Sequence, residues 1–111
     1  MKLLITVIIL TATLNVNADK SHYTVLDGIG LASCASYVKD IKNEFMLLRF
    51  DTWANGYISH FNHANKTINV AQNIDLTARE QWIYEYCKKN PLDPYEEAVS
   101  KLLEELARRQ K

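Results

Sequence analysis

Two histidines stand three residues apart in the stretch WANGYISHFNHAN, from Trp53 to Asn65. Residues three apart are neighbours on a helix, so His60 and His63 could both reach one metal ion. A zinc site needs three or four protein ligands, and the cysteines that could complete it are expected to form a disulfide. We therefore expect neither a metal nor any other cofactor.

Catalytic motifs are equally scarce in this sequence. It contains no G-x-S-x-G, no H-E-x-x-H and no glycine-rich phosphate loop. Ser59 and His63 are four residues apart and could form a nucleophile and base, yet no third group is evident to orient the histidine. The nearest carboxylates, Glu44 and Asp51, are predicted to lie on a solvated face. We expect a protein that is not an enzyme.

The same stretch fits a long amphipathic helix from about Glu44 to Asn65 with an apolar contact face. Its stripe comprises Met46, Phe50, Trp53, Tyr57, Phe61 and Ala64. A glycine inside a helix costs about 1 kcal/mol relative to alanine, so Gly56 beside this stripe predicts that another backbone approaches closely. Including the third helix, the predicted contact face is Trp53, Gly56, Tyr57, Phe61, Trp82 and Tyr86.

Two of the remaining helices flank this long one. A short first helix, from about Ser33 to Ile41, has Ser33 as its candidate N-cap. The third opens at TARE, where Thr77 and Glu80 can form a capping box, and stops at Pro91.

The fourth helix opens at DPYE, with Asp93 as its predicted N-cap and Pro94 at its first position. Its apolar stripe is Tyr95, Ala98, Val99, Leu102, Leu103 and Leu106. No window alternates with period two, so the sequence predicts an all-α bundle of about four helices.

The N-terminus has the features of a secretory signal peptide. Lys2 precedes an apolar run from Leu3 to Leu14, and small residues lead to a cleavage site after Ala18. The run is too short to span a membrane. We expect residues 1–18 to be removed and residues 19–111 to form one small domain, with residues 19–32 as a loosely held arm and no integral membrane segment.

Export bears on the two cysteines, Cys34 and Cys87. In an oxidising compartment the default is one disulfide, here joining the first helix to the third with the long helix between them. It would close a loop of more than fifty residues, which is worth about 4 kcal/mol in the chain-entropy model. A reactive thiol pair is the alternative, although no C-x-x-C spacing supports it.

Charge and loop composition limit the partners. The 13 Lys and Arg residues equal the 13 Asp and Glu residues, so no concentrated basic surface favours nucleic acid. The polar segment between the second and third helices is the candidate loop for binding a protein partner. Its candidate contact residues are Asn65, Lys66, Thr67, Asn69, Gln72 and Asn73.

Several segments resemble known exported proteins. CASY at Cys34, WANGYISHFN and above all EYCKKNP, from Glu85 to Pro91, are similar to the periplasmic acid-stress chaperones of the HdeA/HdeB family. GYIS, followed by NP and an alanine-containing helix, is also similar to the Rap/Tai-type immunity proteins, which neutralise cell-wall amidases delivered by type VI secretion. Both resemblances imply an exported, helical, disulfide-bonded protein.

Each resemblance implies a different function. The first implies a periplasmic holdase for acid-denatured clients: below about pH 3 the 13 carboxylates are largely neutral, so repulsion between the remaining cations should loosen the bundle and expose apolar stripes. The second implies an inhibitor of one envelope hydrolase. A plain structural role in the envelope and a homodimer stay open.

Overall fold

The computed structural model describes residues 28–66, 69–70, 72 and 74–110. The expected signal peptide, residues 19–27 of the arm, and Thr67 and Asn73 of the candidate loop lie outside these described residues.

The described chain is all α-helical, as predicted. A short 3-10 helix, Ile29–Leu31, is followed by four α-helices. They are α1 (Cys34–Asp40), α2 (Glu44–Ala64), α3 (Leu76–Lys89) and α4 (Tyr95–Arg109). The described residues form no strand, only an isolated antiparallel bridge between Ser33 and Pro94.

Side-chain caps fix where the first three helices begin. The Ser33 hydroxyl accepts a hydrogen bond from the Ser36 amide at 3.1 Å, as predicted, and Asn43 caps α2 in the same way. For α3 the predicted Thr77 cap is wrong. Asp75 accepts from the Ala78 amide at 2.8 Å, because its extended backbone starts the helix earlier and leaves Thr77 inside the first turn.

The start of α4 differs from the prediction in a similar way. Pro94, not Asp93, is the N-cap residue, and it makes no side-chain cap. The segment is held instead by backbone hydrogen bonds to the start of α1, from the Cys34 amide to the Asp93 carbonyl at 2.7 Å and from the Tyr95 amide to the Ala32 carbonyl at 2.8 Å. Backbone pairing therefore joins the beginnings of α1 and α4.

Helix α4 is the element on which the core is built. All six residues of its predicted stripe are buried. It packs against α1, α2, α3 and the 3-10 helix, and α1 packs directly against α3. The prediction that α2 lies between α1 and α3 is therefore wrong, because α4 has the broadest apolar face and takes the central position.

Three aromatic rings form the centre of this core. Tyr37, Phe50 and Tyr95, from α1, α2 and α4, lie with ring centroids 4.7–5.0 Å apart. The Tyr95 hydroxyl also donates to the Phe50 carbonyl at 3.2 Å. Edge and tilted contacts between aromatic rings stabilise the packing of the three helices in addition to the stabilisation from burial of apolar area.

The buried face of α2 is rotated from the predicted stripe. Phe50, Ala54 and Ile58 are buried, whereas Trp53, Tyr57 and Phe61 are half-buried. The rotation follows from the position of the 3-10 helix, which packs on α2 and occupies the side where Trp53 lies.

The predicted disulfide is present between Cys34 and Cys87, and both residues are fully buried. It joins α1 to α3 across a sequence separation of 53 residues. The described part of the chain holds no free cysteine.

Candidate functional site

The histidine stretch that suggested metal binding or catalysis lies on an exposed side of α2. His60 and His63 are both exposed. The Ser59 hydroxyl donates to the Asn55 carbonyl at 2.6 Å, so it is not directed at His63. Within the described residues, no group of three or more His, Cys, Asp or Glu side chains could hold a metal ion.

The prediction for Gly56 is wrong. This residue is exposed, and a Cβ placed on it would meet nothing within 4 Å. The rotation of α2 turns Gly56 away from the core. The close approach occurs at buried Gly30, where a Cβ would overlap the indole ring of Trp53.

The predicted aromatic contact face is divided into two stacks on two helices. Trp53 and Tyr57 stack on α2 with centroids 5.2 Å apart, and Trp82 and Tyr86 stack on α3 at 5.7 Å. All four rings are half-buried. Trp82 and Tyr86 also line a shallow groove of about 520 Å³ on α3.

Each stack is hydrogen-bonded through a tyrosine hydroxyl to a carboxylate, either in the first turn of α4 or in the turn before it. Tyr57 donates to Glu96 at 3.1 Å, and Tyr86 donates to Asp93 at 2.7 Å. The position of each stack against α4 therefore depends in part on an ionised carboxylate.

Hydrogen bonds at Asn69 and Val70 hold the described part of the candidate partner loop to the bundle. Val70 is 1% exposed, and its amide and carbonyl both bond the Asn62 side chain, at 3.0 and 3.2 Å. The Gln110 amide donates to the Asn69 carbonyl at 2.9 Å. The other candidate loop residues in the described chain, Asn65, Lys66, Asn69 and Gln72, are exposed.

Three large apolar side chains near the beginning of α2 are exposed. Leu31, Phe45 and Leu48 are 51%, 66% and 61% exposed. Leu48 and Trp53 also line a groove of about 470 Å³ with Ile29. Among these residues, the sequence prediction assigned only Trp53 to the contact face.

The largest departure from the sequence prediction is a buried ionisable cluster. Asp51, predicted on a solvated face, is 8% exposed, and so is Arg79 of α3. One Arg79 nitrogen, Nη1, donates to the Asn55 side chain at 2.7 Å. Its Nε and Nη2 atoms are buried and have no hydrogen-bond partner in the described structure.

A second carboxyl group completes the cluster. Glu80 of α3 is near enough to influence the Asp51 carboxyl group electrostatically. Burial and the interaction with Glu80 raise the pKa of Asp51 to about 7, and the Arg79 charge opposes them.

The cluster draws on all four helices. Tyr37 of α1 and Tyr95 of α4 lie close enough to interact electrostatically with Asp51, Glu80 and Arg79, and burial is the main cause that raises the pKa of both phenols.

The described residues form a disulfide-linked bundle of four α-helices in which an aspartate of α2 and an arginine of α3 are buried. Comparisons with protein-family models, curated proteins and solved structures found no match. No helix among the described residues is both long and apolar enough to cross a bilayer.

Proposed function

We propose that the protein is a non-enzymatic, protein-binding protein of the periplasm that acts as a holdase in strong acid. The proposal rests on the two aromatic stacks and their carboxylate anchors on α4. Carboxyl groups in general are neutral in strong acid, and this would remove the charge-assisted part of the hydrogen bonds that Tyr57 and Tyr86 donate to Glu96 and Asp93.

The four stacked rings are already half-buried rather than fully buried. Loss of the hydrogen bonds to the carboxylates would therefore require little further movement to expose them. Small movements of α2 and α3 would present Trp53, Tyr57, Trp82 and Tyr86 to a client. The disulfide limits how far α1 and α3 can separate, so the loosened chain stays compact. The HdeA/HdeB resemblance agrees with this reading.

The test is suppression of client aggregation in acid. A molar excess of the protein lacking residues 1–18 should lower the light scattering of an unrelated acid-denatured client at about pH 2.5 and have little effect at pH 7. The Trp82→Ala variant should suppress aggregation less than the parent protein, because it removes one of the two rings of a stack. The control is Leu92→Ala, which truncates a turn residue that is 94% exposed. This control should suppress aggregation as well as the parent protein does. Scattering that the protein leaves unchanged at about pH 2.5 contradicts the holdase proposal.

A second candidate function, inhibition of one envelope hydrolase, is favoured by the exposed apolar side chains of Leu31, Phe45 and Leu48. These side chains are exposed in the folded state, so a partner could bind them near neutral pH without any loosening. Truncating an anchor of such an interface costs about 2 kcal/mol or more.

This candidate predicts tight binding of a purified cell-wall amidase at pH 7 in calorimetry. Phe45→Ala should weaken that binding at least about tenfold, with Leu92→Ala as the control. Equal affinity of the Phe45→Ala variant and the parent protein would show that Phe45 is not part of such an interface.

A further inference from the structure

We propose that the groove on α3 binds an extended segment of a protein partner that carries an arginine and, two residues away, an acidic side chain. The arginine would stack on Trp82 and pair with Glu85, and the acidic side chain would pair with Lys89. This site goes beyond the proposed holdase function, because it acts in the folded protein at neutral pH and needs no loosening of the bundle.

The groove has the size and the lining of a ligand site. Its volume is about 520 Å³, and α3 with its C-cap residue supplies the lining. Volumes in this range are typical of ligand pockets. The ring planes of Trp82 and Tyr86 differ by only 11°, and Gln81, Glu85 and Lys89 are exposed beside these half-buried rings. The groove therefore offers an aromatic surface bordered by polar and charged groups.

The aromatic stack favours a flat cation. The faces of tryptophan and tyrosine rings attract cations, and indole attracts them most strongly. Quaternary ammonium groups are bound by cages of several rings, whereas Trp82 and Tyr86 are nearly parallel and come from one helix. A guanidinium group is planar and stacks on aromatic faces. Arginine is therefore the cation that fits this surface.

The carboxylate of Glu85 can pair with this cation. Glu85 is exposed in the groove and accepts a hydrogen bond from the Gln81 amide at 3.1 Å. It forms no ion pair within the described chain, where the paired carboxylates are Glu97, Glu104 and Glu105 of α4. Hydrogen bonds from a guanidinium group to a carboxylate are roughly twice as strong as those between neutral groups.

A second carboxylate strengthens the attraction of Tyr86 for a cation. The Tyr86 hydroxyl donates to Asp93 at 2.7 Å. Burial is the main cause that raises the pKa of this phenol, and the hydrogen bond and charge of Asp93 raise it further. Hydrogen-bonded groups polarise one another, so a phenol that donates to a carboxylate has a more electron-rich ring. Both rings of the stack therefore favour positive charge.

The position of Lys89 sets the second requirement on the partner. Lys89 follows Glu85 by one helical turn, about 6 Å along the axis. Lys89 has no ion pair with another described residue, and its neighbour Lys88 lies over the Tyr84 ring at 5.4 Å. Residues two apart in an extended segment are about 6.6 Å apart and project to the same side. An arginine and an acidic residue at this spacing therefore complement Glu85 and Lys89 together.

The experiment follows the tryptophan indole N–H signals by NMR while a peptide is added to the purified protein at neutral pH. The probe is an acetylated and amidated peptide of sequence Ser-Arg-Ala-Glu-Ser. The chain has two tryptophans, and a Trp82→Phe variant identifies their signals. The Trp82 signal should move and saturate, while the signal of Trp53 on α2 should stay in place.

Matched controls test each charge. The same peptide with citrulline, a neutral analogue of arginine, should bind at least about fivefold more weakly. A peptide with lysine in place of its glutamate should also bind more weakly, because the lysine would face Lys89. Glu85→Gln should weaken binding of the arginine peptide about two- to fivefold. Glu44→Gln, which removes an exposed carboxylate from α2, should bind this peptide like the parent protein.

The proposal is overturned if the arginine peptide leaves the Trp82 signal in place, or if the citrulline peptide binds equally well. Equal binding by Glu85→Gln and Glu44→Gln would also overturn it. Chitotriose that moves the Trp82 signal where the peptide does not would assign the groove to saccharides instead. Titrations of the parent protein decide the matter even if a variant fails to fold. Because the client assay is separate and in acid, failure of this site and failure of the holdase proposal are distinguishable.

Discussion

At the scale of single residues, Gly30 allows the 3-10 helix to lie directly under an indole ring. It is buried, and a Cβ at this position would lie 2.9 Å from Cη2 of Trp53 and closer still to Cζ2. Only a residue without a side chain permits this contact. The absence of a side chain at Gly30 therefore lets the 3-10 helix pack closely on α2. This contact also constrains the rotation of α2 about its axis, because α2 carries Trp53.

We predict opposite effects for two glycine substitutions. Gly30→Ala should lower the free energy of unfolding by about 1–3 kcal/mol, because the methyl group displaces the Trp53 ring. Gly56→Ala should raise it by about 0.5–1 kcal/mol, because this residue is exposed inside a helix. Urea denaturation of both variants provides the measurement. A Gly30→Ala variant as stable as the parent protein would show that the ring moves aside without cost.

The burial of Asp51 could not be predicted from the sequence, because it too depends on the rotation of α2 about its axis. Adjacent helical residues differ by about 100° in direction, so a modest rotation of α2 moves Asp51 from solvent to the core. A charged residue beside a buried phenylalanine is ordinarily assigned to the surface. The groups that interact electrostatically with Asp51, Arg79 and Glu80, lie on another helix and are not evident from spacing along the chain.

At the scale of elements, Asn62 of α2 holds the described part of the loop that follows this helix. Asn62 makes three hydrogen bonds to Asn69 and Val70, two of them to the backbone of Val70. Asn62 lies outside the apolar stripe predicted for α2, so no contact was predicted for it. Its bonds fix the backbone of buried Val70, which belongs to the core cluster.

We predict that Asn62→Ala frees this loop. The Val70 backbone would lose its partners, and the free energy of unfolding should fall by about 1–3 kcal/mol. Limited proteolysis should then cleave faster between α2 and α3. The neighbouring His63→Ala variant, at an exposed position, is the control and should be cleaved at the parental rate. Unchanged cleavage of Asn62→Ala would mean that Val70 alone holds the loop.

Local signals in the sequence were sufficient to predict the helices but not their arrangement. The stripe of α4 and the Ser33 cap depend on residues within one helix, and both predictions are confirmed. The central position of α4 depends on how faces from different helices match in shape. Periodicity reports that a face is apolar and does not report which neighbour covers it.

At the scale of the whole molecule, a covalent bond and backbone hydrogen bonds connect distant parts of the chain. Cys34 is disulfide-bonded to Cys87, while its amide donates to the Asp93 carbonyl. One residue at the start of α1 is thereby fixed to α3 and to the turn before α4. A small core gains from such cross-links because it buries limited apolar area.

We predict that thiol reagents do not label the protein lacking residues 1–18 when it is denatured without reductant. Cys34→Ser and Cys87→Ser should each lower the free energy of unfolding by about 4 kcal/mol, given the separation of 53 residues. Reduction of the parent protein should reproduce the stability of the double variant. Labelling of both cysteines before reduction would contradict the disulfide.

The place of α4 in the chain also bears on the order in which the fold can form after export. Among the described helices it comes last, so a chain that enters an oxidising compartment N-terminus first presents α1, α2 and α3 there before the surface on which they pack. Both cysteines precede α4, and they can be oxidised while the core is still open. Until α4 follows, such a chain would be a cross-linked loop with exposed apolar faces, and we expect it to be most prone to aggregate in this interval.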